Sequence, residues 1–399
     1  MVPAPRAAPL GIRCLMTSLD IASSLPPSPA KHWRTLGASL RENSLILLYA
    51  ALIAPVPYLV AHWIGVDGPA PSRLPGMYFS FAAFVVLSLF CCYALWYIYH
   101  SRIARIPGFR ETAWRRVRAT YLTRERILLA LPPLLLWPVL ASGFSFLKSI
   151  MPLVQPFYLD PALVEIDRAL HFGVDPWRLL APLLNHAPVT FAINGVYMLW
   201  IIVFNAVLVL QCGAAGNRKL RLQFLVTMAL AWTLVGNLAA TLMSSAGPCY
   251  YHLVADGPNP FTPLMTYLHS VSEGMRFTLL DAEHHVPLTS VLLQDVLWQS
   301  QMMGDHGIAK GISAAPSMHV ASTWIIFQLC LVYGRRAAIF GGAFLLAILV
   351  GSVHLGWHYA TDGYTAIIFS AAIWWAVGRF LDVPAVQRLI WPKGLAPAR

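Results

Sequence analysis

Charge is what this sequence has least of. Only 11% of its 399 residues are Asp, Glu, Lys or Arg, while 58% are hydrophobic. A soluble domain carries about 25% charged and about 45–50% apolar residues, so the deficit excludes a chain that meets water over most of its surface. Cysteine is scarce as well: there are six, with no CxxC pair. Cys14, Cys91, Cys92, Cys212 and Cys330 fall in apolar runs or on the side marked by basic residues, and only Cys249 lies clearly on the other side. That distribution argues against a structural disulfide. There is no glycine-rich phosphate loop and no convincing internal repeat.

What the sequence has in abundance is long apolar runs. Stretches of spanning length occur near 44–66, 76–99, 127–147, 188–212, 222–243, 319–334, 337–358 and 361–381. Each approaches the roughly 20 residues that cross a bilayer as a helix. The expectation is an all-α polytopic membrane protein with about eight transmembrane helices.

Lys and Arg hold flanking loops on the cytoplasmic side. The segment 100–126 contains Arg102, Arg105, Arg110, Arg115, Arg116, Arg118, Arg124 and Arg126 against Glu111 and Glu125. Counting alternately from it places Arg218, Lys219 and Arg221, then Arg335 and Arg336, then the tail with Arg379, Arg388, Lys393 and Arg399 on the same side. The N-terminal Arg6, Arg13, Lys31, Arg34 and Arg41 fall there too, so both termini are expected in the cytoplasm. The alternate loops are acidic or balanced. The segment 148–187 carries Asp160, Glu165, Asp167 and Asp175, and the segment 244–318 carries Asp256, Glu273, Asp281, Glu283, Asp295 and Asp305 against Arg276 and Lys310. The net charge of +11 is thus a topology signal with some attraction to anionic headgroups, and no nucleic-acid partner is expected.

This reading divides the chain into a disordered cytoplasmic tail over 1–40, N-terminal transmembrane helices over 41–243, a catalytic region over 244–381 and a cytoplasmic tail over 382–399. The first part is rich in Pro, Ala and Ser and lacks the apolar core and cleavage site of a signal peptide. Within 148–187, the run from Asp160 to Asp167 has apolar residues at roughly helical spacing, as an amphipathic helix on the outer leaflet would. It either roofs a site or packs over the spans.

Three of the thirteen histidines stand apart. His319 lies where the long outer loop enters the sixth run, and His354 and His358 lie at the outer end of the seventh, followed by Asp362 at the start of the eighth. If that segment is helical, residues four apart share one face. A carboxylate beside a histidine orients the imidazole and makes its other nitrogen a better base or nucleophile. Ionisable groups at membrane depth are costly and mark function by default. The alternation of loops brings His319, His358 and Asp362 to one side of the membrane.

Pro316-Ser317-Met318-His319 resembles the PSGH motif of the type 2 phosphatidic acid phosphatase superfamily, and His358-Tyr359-Ala360-Thr361-Asp362 resembles the HxxxD end of its SRxxxxxHxxxD motif. Met in place of Gly, and the run Ala246-Gly247-Pro248-Cys249-Tyr250-Tyr251, are closer to the branch containing inositol phosphorylceramide synthase and the similar sphingomyelin synthases. Two departures matter. The family Arg falls at Ser352 and its Ser at Gly351, and KxxxxxxRP has no match shortly before Pro316. Lys148 to Pro156 has that spacing, with Gln155 for Arg, far upstream.

The resemblance implies a phosphatase or headgroup transferase in which His358 attacks phosphorus to form a phosphohistidine, Asp362 stabilises its ring, and His319 exchanges protons with the leaving and accepting oxygens. It implies no metal and no cofactor. With the family Arg missing, the phosphoryl oxygens need another cation or aligned donors. The candidates are Lys310, nearest the motif, then Arg276 and Lys148, with Ser317 and the backbone amides of the helix it precedes; Ser352 holds the place of the Arg. His354 either donates to His358 from one turn before or lines a substrate cleft. The expected partners are a membrane lipid substrate and the bilayer; oligomeric state is left open.

Two other functions fit the residues. His354, His358 and Asp362 at four-residue spacing also form a metal face, with His319 or one of His252, His269, His284, His285 and His306 as a further ligand, as in an intramembrane hydrolase or oxidase. A transporter or scaffold would use the same histidines as a proton path.

Overall fold

The computed structural model describes residues 36–391 except 104, 107, 275, 280, 281 and 307–309. The helices are α1 (Leu36–Glu42), α2 (Ser44–Ile53), α3 (Val56–Ile64), α4 (Leu74–Ile98), α5 (Phe109–Thr120), α6 (Arg124–Val154), α7 (Asp160–Leu170), α8 (Pro176–Leu184), α9 (Ala187–Cys212), α10 (Arg218–Thr233), α11 (Thr262–Gly274), α12 (Thr289–Met302), α13 (Met318–Val332), α14 (Arg335–His354), α15 (Ala360–Leu381) and α16 (Pro384–Ile390). A two-stranded antiparallel ribbon, β1 (Arg276–Leu279) and β2 (Ala282–His285), lies between α11 and α12, with Arg276 opposite His285.

Seven stretches are long and apolar enough to cross a membrane: Ser44–Ile64, Pro71–Ile103, Arg124–Val154, Ala187–Cys212, Arg218–Leu242, Arg335–His354 and Ala360–Leu381. With the shorter apolar helix Met318–Val332 they match the eight expected runs, and the chain is an integral multi-pass membrane protein. The first run is two helices, because Pro55 has no amide to continue α2 and starts α3 instead. The fifth departs from α-helical pitch in a π segment at Leu234–Ala239. The seventh ends at His354 and not at 358, because the chain turns through Leu355 and Gly356. Of the expected 1–40 tail, residues 1–35 lie outside the described residues and 36–40 belong to α1; of the C-terminal tail, 392–399 lie outside them.

Two apolar cores stack along the bundle. One, nearer the histidines, joins Leu163, Tyr197, Leu268, Leu288, Val320, Ile348 and Tyr359. The other, nearer the arginines, joins Phe204, Leu208, Phe224, Met228, Ile325, Leu329, Leu381 and Trp391. Met318 packs against both. α13 is the central element, in contact with α9, α10, α14 and α15. At about 1.5 Å per residue its 15 residues reach about 22 Å, short of the roughly 30 Å of hydrocarbon. Arg335 and Arg336 follow directly and fix its far end at the surface, so His319 begins the helix below the opposite surface.

At the arginine-rich end a buried polar cluster ties four elements together. The Arg221 side chain, fully buried, donates from Nη2 to Asn43 Oδ1 at 2.7 Å and to the Leu129 carbonyl at 3.0 Å, and from Nε to the Cys212 carbonyl at 2.9 Å. Glu42 lies 3.2 Å from Arg218 and 3.9 Å from Arg221.

Candidate active site

Three backbone segments converge at the other end: 244–250, 311–317 and 355–359. The last folds back on α14, with the amides of Trp357 and His358 donating to the Ser352 carbonyl at 3.0 and 3.2 Å. The Ala314 amide donates to the Ser245 carbonyl at 2.9 Å, and Ser317 N donates to the Asp362 carbonyl at 3.1 Å. Gly247, at φ +100°, lies between the other two segments; a Cβ there would come 2.8 Å from the Trp357 carbonyl oxygen and 3.0 Å from the Ala314 side chain. Only glycine fits both the dihedral and the space.

Within this frame His358, 6% exposed, has its Nδ1 2.8 Å from the Ala314 carbonyl oxygen. A carbonyl only accepts, so Nδ1 carries the hydrogen and Nε2 is left with its lone pair when the ring is neutral. Asp362 Oδ2 lies 3.6 Å from the same Nδ1 and accepts from the Tyr359 amide at 2.9 Å. The carboxylate is fully buried, and its Oδ1 has no hydrogen-bond partner among the described residues. The His319 ring lies 6.0 Å from that of His358, centroid to centroid, held between Tyr197 at 4.7 Å and Trp200 at 4.3 Å. Trp200 is itself anchored by its indole N–H on Ser322 Oγ at 3.0 Å.

The candidate anion-binding groups lie at the start of α13 and on α6. Ser317 caps α13, its Oγ accepting from the Val320 amide at 3.4 Å. The amides of Met318 and His319 have no acceptor among the described residues, which leaves the positive end of the helix open to an anion. Lys148 comes from α6, near enough for its charge to act on the His319 ring. Gly311, at φ +86°, lets the 311–317 segment pack directly on the α6 backbone, since a Cβ there would lie 2.7 Å from the Lys148 carbonyl. Lys148 forms no hydrogen bond or ion pair with a described residue.

The other sequence candidates lie elsewhere. Lys310 donates to Ser300 Oγ at 2.8 Å and pairs with Asp305 at 3.2 Å. Ser352 Oγ donates to the Leu349 carbonyl within its own helix at 2.8 Å. His354, 1% exposed, bonds through Nε2 to Thr190 Oγ1 at 3.0 Å, which in turn meets the Tyr267 hydroxyl at 2.8 Å. The Arg276 side chain lies outside the described residues. The expected helical stripe of His354, His358 and Asp362 is broken by the turn at 355–359, and among the described residues no three His, Cys, Asp or Glu side chains gather as a metal would require.

Sequence reasoning did not single out the two carboxylates that hold the turn carrying His358. Asp160 accepts from Ser245 Oγ at 2.9 Å, the Ala246 amide at 3.0 Å, the Gly247 amide at 2.8 Å and the Tyr359 hydroxyl at 2.9 Å. Burial and that carboxylate hold the Tyr359 phenol well above its usual value. Asp167 accepts from the Ala360 and Thr361 amides at 2.9 and 2.8 Å and from Thr361 Oγ1 at 2.6 Å, satisfying the first amides of α15. The signal was present: two acids seven apart lie on one face of a helix.

A family model for the PAP2 superfamily matches residues 161–376. The chain belongs to the PAP2 superfamily. Its matched region runs from α7 through most of α15 and contains His319, His358 and Asp362. Membership makes the chain a phosphatase-type phosphoryl-transfer enzyme in general. Compared with curated proteins and with solved structures, the chain has no match in either.

Proposed function

We propose that this PAP2 enzyme transfers phosphoryl groups of lipid phosphates or phospholipid headgroups, at the extracytoplasmic surface, through a phosphohistidine on His358. The observation that carries the reading is the bond from His358 Nδ1 to the Ala314 carbonyl, because it aims the free Nε2 lone pair away from the support that fixes the ring. Nε2 attacks phosphorus, and the bond to the leaving oxygen breaks as protonated His319 gives that oxygen its proton. Asp362 offsets the positive charge on the His358 ring. In the second half His319 takes the proton of an acceptor hydroxyl, whose oxygen attacks phosphorus, and the P–N bond breaks to restore His358.

The equatorial oxygens lie against the Met318 and His319 amides and the Lys148 ammonium, which takes the place of the family Arg. A site recessed below the surface at the end of a short helix favours an amphiphilic substrate reached from the membrane. The basic loops at the opposite end support an extracytoplasmic site and cytoplasmic termini. Water as acceptor makes the enzyme a phosphatase; the hydroxyl of a second lipid makes it a headgroup transferase, as the likeness to the inositol phosphorylceramide synthase-like branch favours.

The test is product analysis on purified protein in detergent with EDTA, wild type against His358→Ala. Phospholipids and lipid phosphates are offered with and without ceramide or diacylglycerol. The expected result is turnover that needs no metal and is lost in the variant, with free phosphate or a new phospholipid naming the acceptor. Activity only on restoring metal favours the metal reading. No activity under any condition favours a transporter or scaffold.

A further inference from the structure

A cleft of about 380 Å³ opens at the arginine-rich end, at the opposite end of the bundle from the histidines. It lies between α10, α13 and α15 and is lined by Lys219, Gln223, Gln328, Trp374, Trp375 and Arg379, with Ala371, Gly378 and Asp382 completing the wall. Lys219 is held by Asp382 at 2.6 Å, and Gln223 donates to the Trp374 carbonyl at 2.9 Å. Arg379 and Gln328 lack a hydrogen-bond or ion-pair partner among the described residues.

Two features set the cleft apart from an ordinary basic rim. Gln223 and Gln328 lie inside apolar helices, where a side-chain amide facing lipid costs free energy unless it has a polar partner. Both line the same cavity as two cations. Next to them Trp375 is 68% exposed, and Ile368 on the same helix is 62% exposed. An occupant must therefore offer an anion and hydrogen-bonding oxygens at the helix ends, and an apolar body that runs along α15. Basic pockets between transmembrane helices at this level suit anionic headgroups, and tryptophan suits the interface just below.

We propose that this cleft binds one anionic glycerophospholipid of the leaflet on the arginine-rich side. The phosphodiester lies between Arg379 and Lys219, Gln328 donates to its glycerol or ester oxygens, and an acyl chain packs against Trp375. The site is separate from the phosphoryl-transfer centre and does not depend on what that centre turns over.

The experiment is native mass spectrometry of the full chain, delipidated in detergent and titrated with phosphatidylglycerol or phosphatidylcholine, comparing wild type with Arg379→Gln and Gln328→Leu. Both positions lie outside the proposed phosphoryl-transfer site and Arg379 is exposed, so both variants are expected to fold and keep wild-type turnover. The expected result is one tightly retained phosphatidylglycerol, with affinity roughly fivefold lower in Arg379→Gln, the size of one basic contact near an anionic surface. Phosphatidylcholine is retained more weakly and equally by all three proteins. Equal retention of phosphatidylglycerol by wild type and both variants overturns the proposal. So does displacement of the lipid by glycerol 1-phosphate alone, which would make the ligand a soluble phosphate ester.

Discussion

His358 and Ala314 are 44 residues apart in sequence, and the 2.8 Å bond between the ring Nδ1 of one and the carbonyl of the other decides which imidazole nitrogen is free. It also joins the two sequence motifs mechanically, because Ala314 lies two residues before the Pro316–His319 run and His358 begins the segment ending at Asp362. On the proposed mechanism, substituting His358 by Ala or Gln removes the nucleophile. Turnover is expected to fall by orders of magnitude without loss of folded protein. An acid-labile, base-stable phosphoprotein trapped from labelled substrate should be present in wild type and absent in the variant. Label retained in His358→Gln would move the nucleophile elsewhere.

The proposed mechanism sets His319 a different requirement, to exchange a proton without bonding to phosphorus. Its ring is fixed by Tyr197 and Trp200, so His319→Ala leaves the His358 turn unchanged. The expected loss is about 10²–10⁴-fold in kcat. A substrate with a leaving group that needs no proton should recover most of the first half-reaction. If such a substrate is no better than the natural kind, His319 is not the acid.

Lys148 and Lys310 make opposing predictions. Lys310 is already satisfied by Ser300 and Asp305, whereas Lys148 has no such partner among the described residues and its charge acts on His319. Lys148→Ala should lower kcat by about 10²–10³-fold, the size of one lost oxyanion contact, and Lys148→Arg should restore part of it. Lys310→Ala should stay within a few-fold of wild type. Steady-state kinetics on the two alanine variants distinguishes them directly.

Much of the fold was legible because hydrophobic length and Lys/Arg placement are local signals. The eight runs correspond to seven long helices and one of 15 residues. The limits came from breaks that composition hides: Pro55 splits the first run, and the turn at Leu355–Gly356 ends the seventh four residues early. That turn also dissolved the helical stripe of His354, His358 and Asp362 and sent His354 to Thr190. The histidines and Asp362 were visible through motif spacing. Their supports were not, since Asp160 reaches Tyr359 across 199 positions of sequence and no local pattern encodes such a contact. Proximity along the chain put Lys310 ahead of Lys148 as the phosphate cation; in the structure Lys310 is held by Ser300 and Asp305, a pairing that sequence spacing does not reveal.

Asp167 tests whether α7 positions the catalytic turn. Its carboxylate takes three donors at the start of α15, and the residue is 4% exposed. Asp167→Ala strands two buried amides and a hydroxyl, at a cost on the order of 2–4 kcal/mol after relaxation. The melting temperature in detergent should fall, and kcat should fall with KM little changed, because His358 and Asp362 flank those amides. Asp167→Asn keeps one acceptor oxygen for Thr361 and should recover part of both. A full loss of stability with unchanged kcat in the folded fraction would make Asp167 a purely structural cap.

Arg221 supplies the matching control at the far end. It bonds Asn43, Leu129 and Cys212 and faces Glu42, all away from the histidines. Arg221→Met leaves buried acceptors unpaired and one carboxylate with a single cation, Arg218. Breaking such a buried cluster costs about 3–5 kcal/mol, so the thermal midpoint should drop while kcat of the remaining folded enzyme stays at the wild-type value. Adding Glu42→Gln removes the stranded charge, so the double variant should be more stable than the sum of the two single losses. Strict additivity in that cycle would show that Glu42 draws its balance from Arg218 alone and that Arg221 acts only through its hydrogen bonds to Asn43 and the two carbonyls.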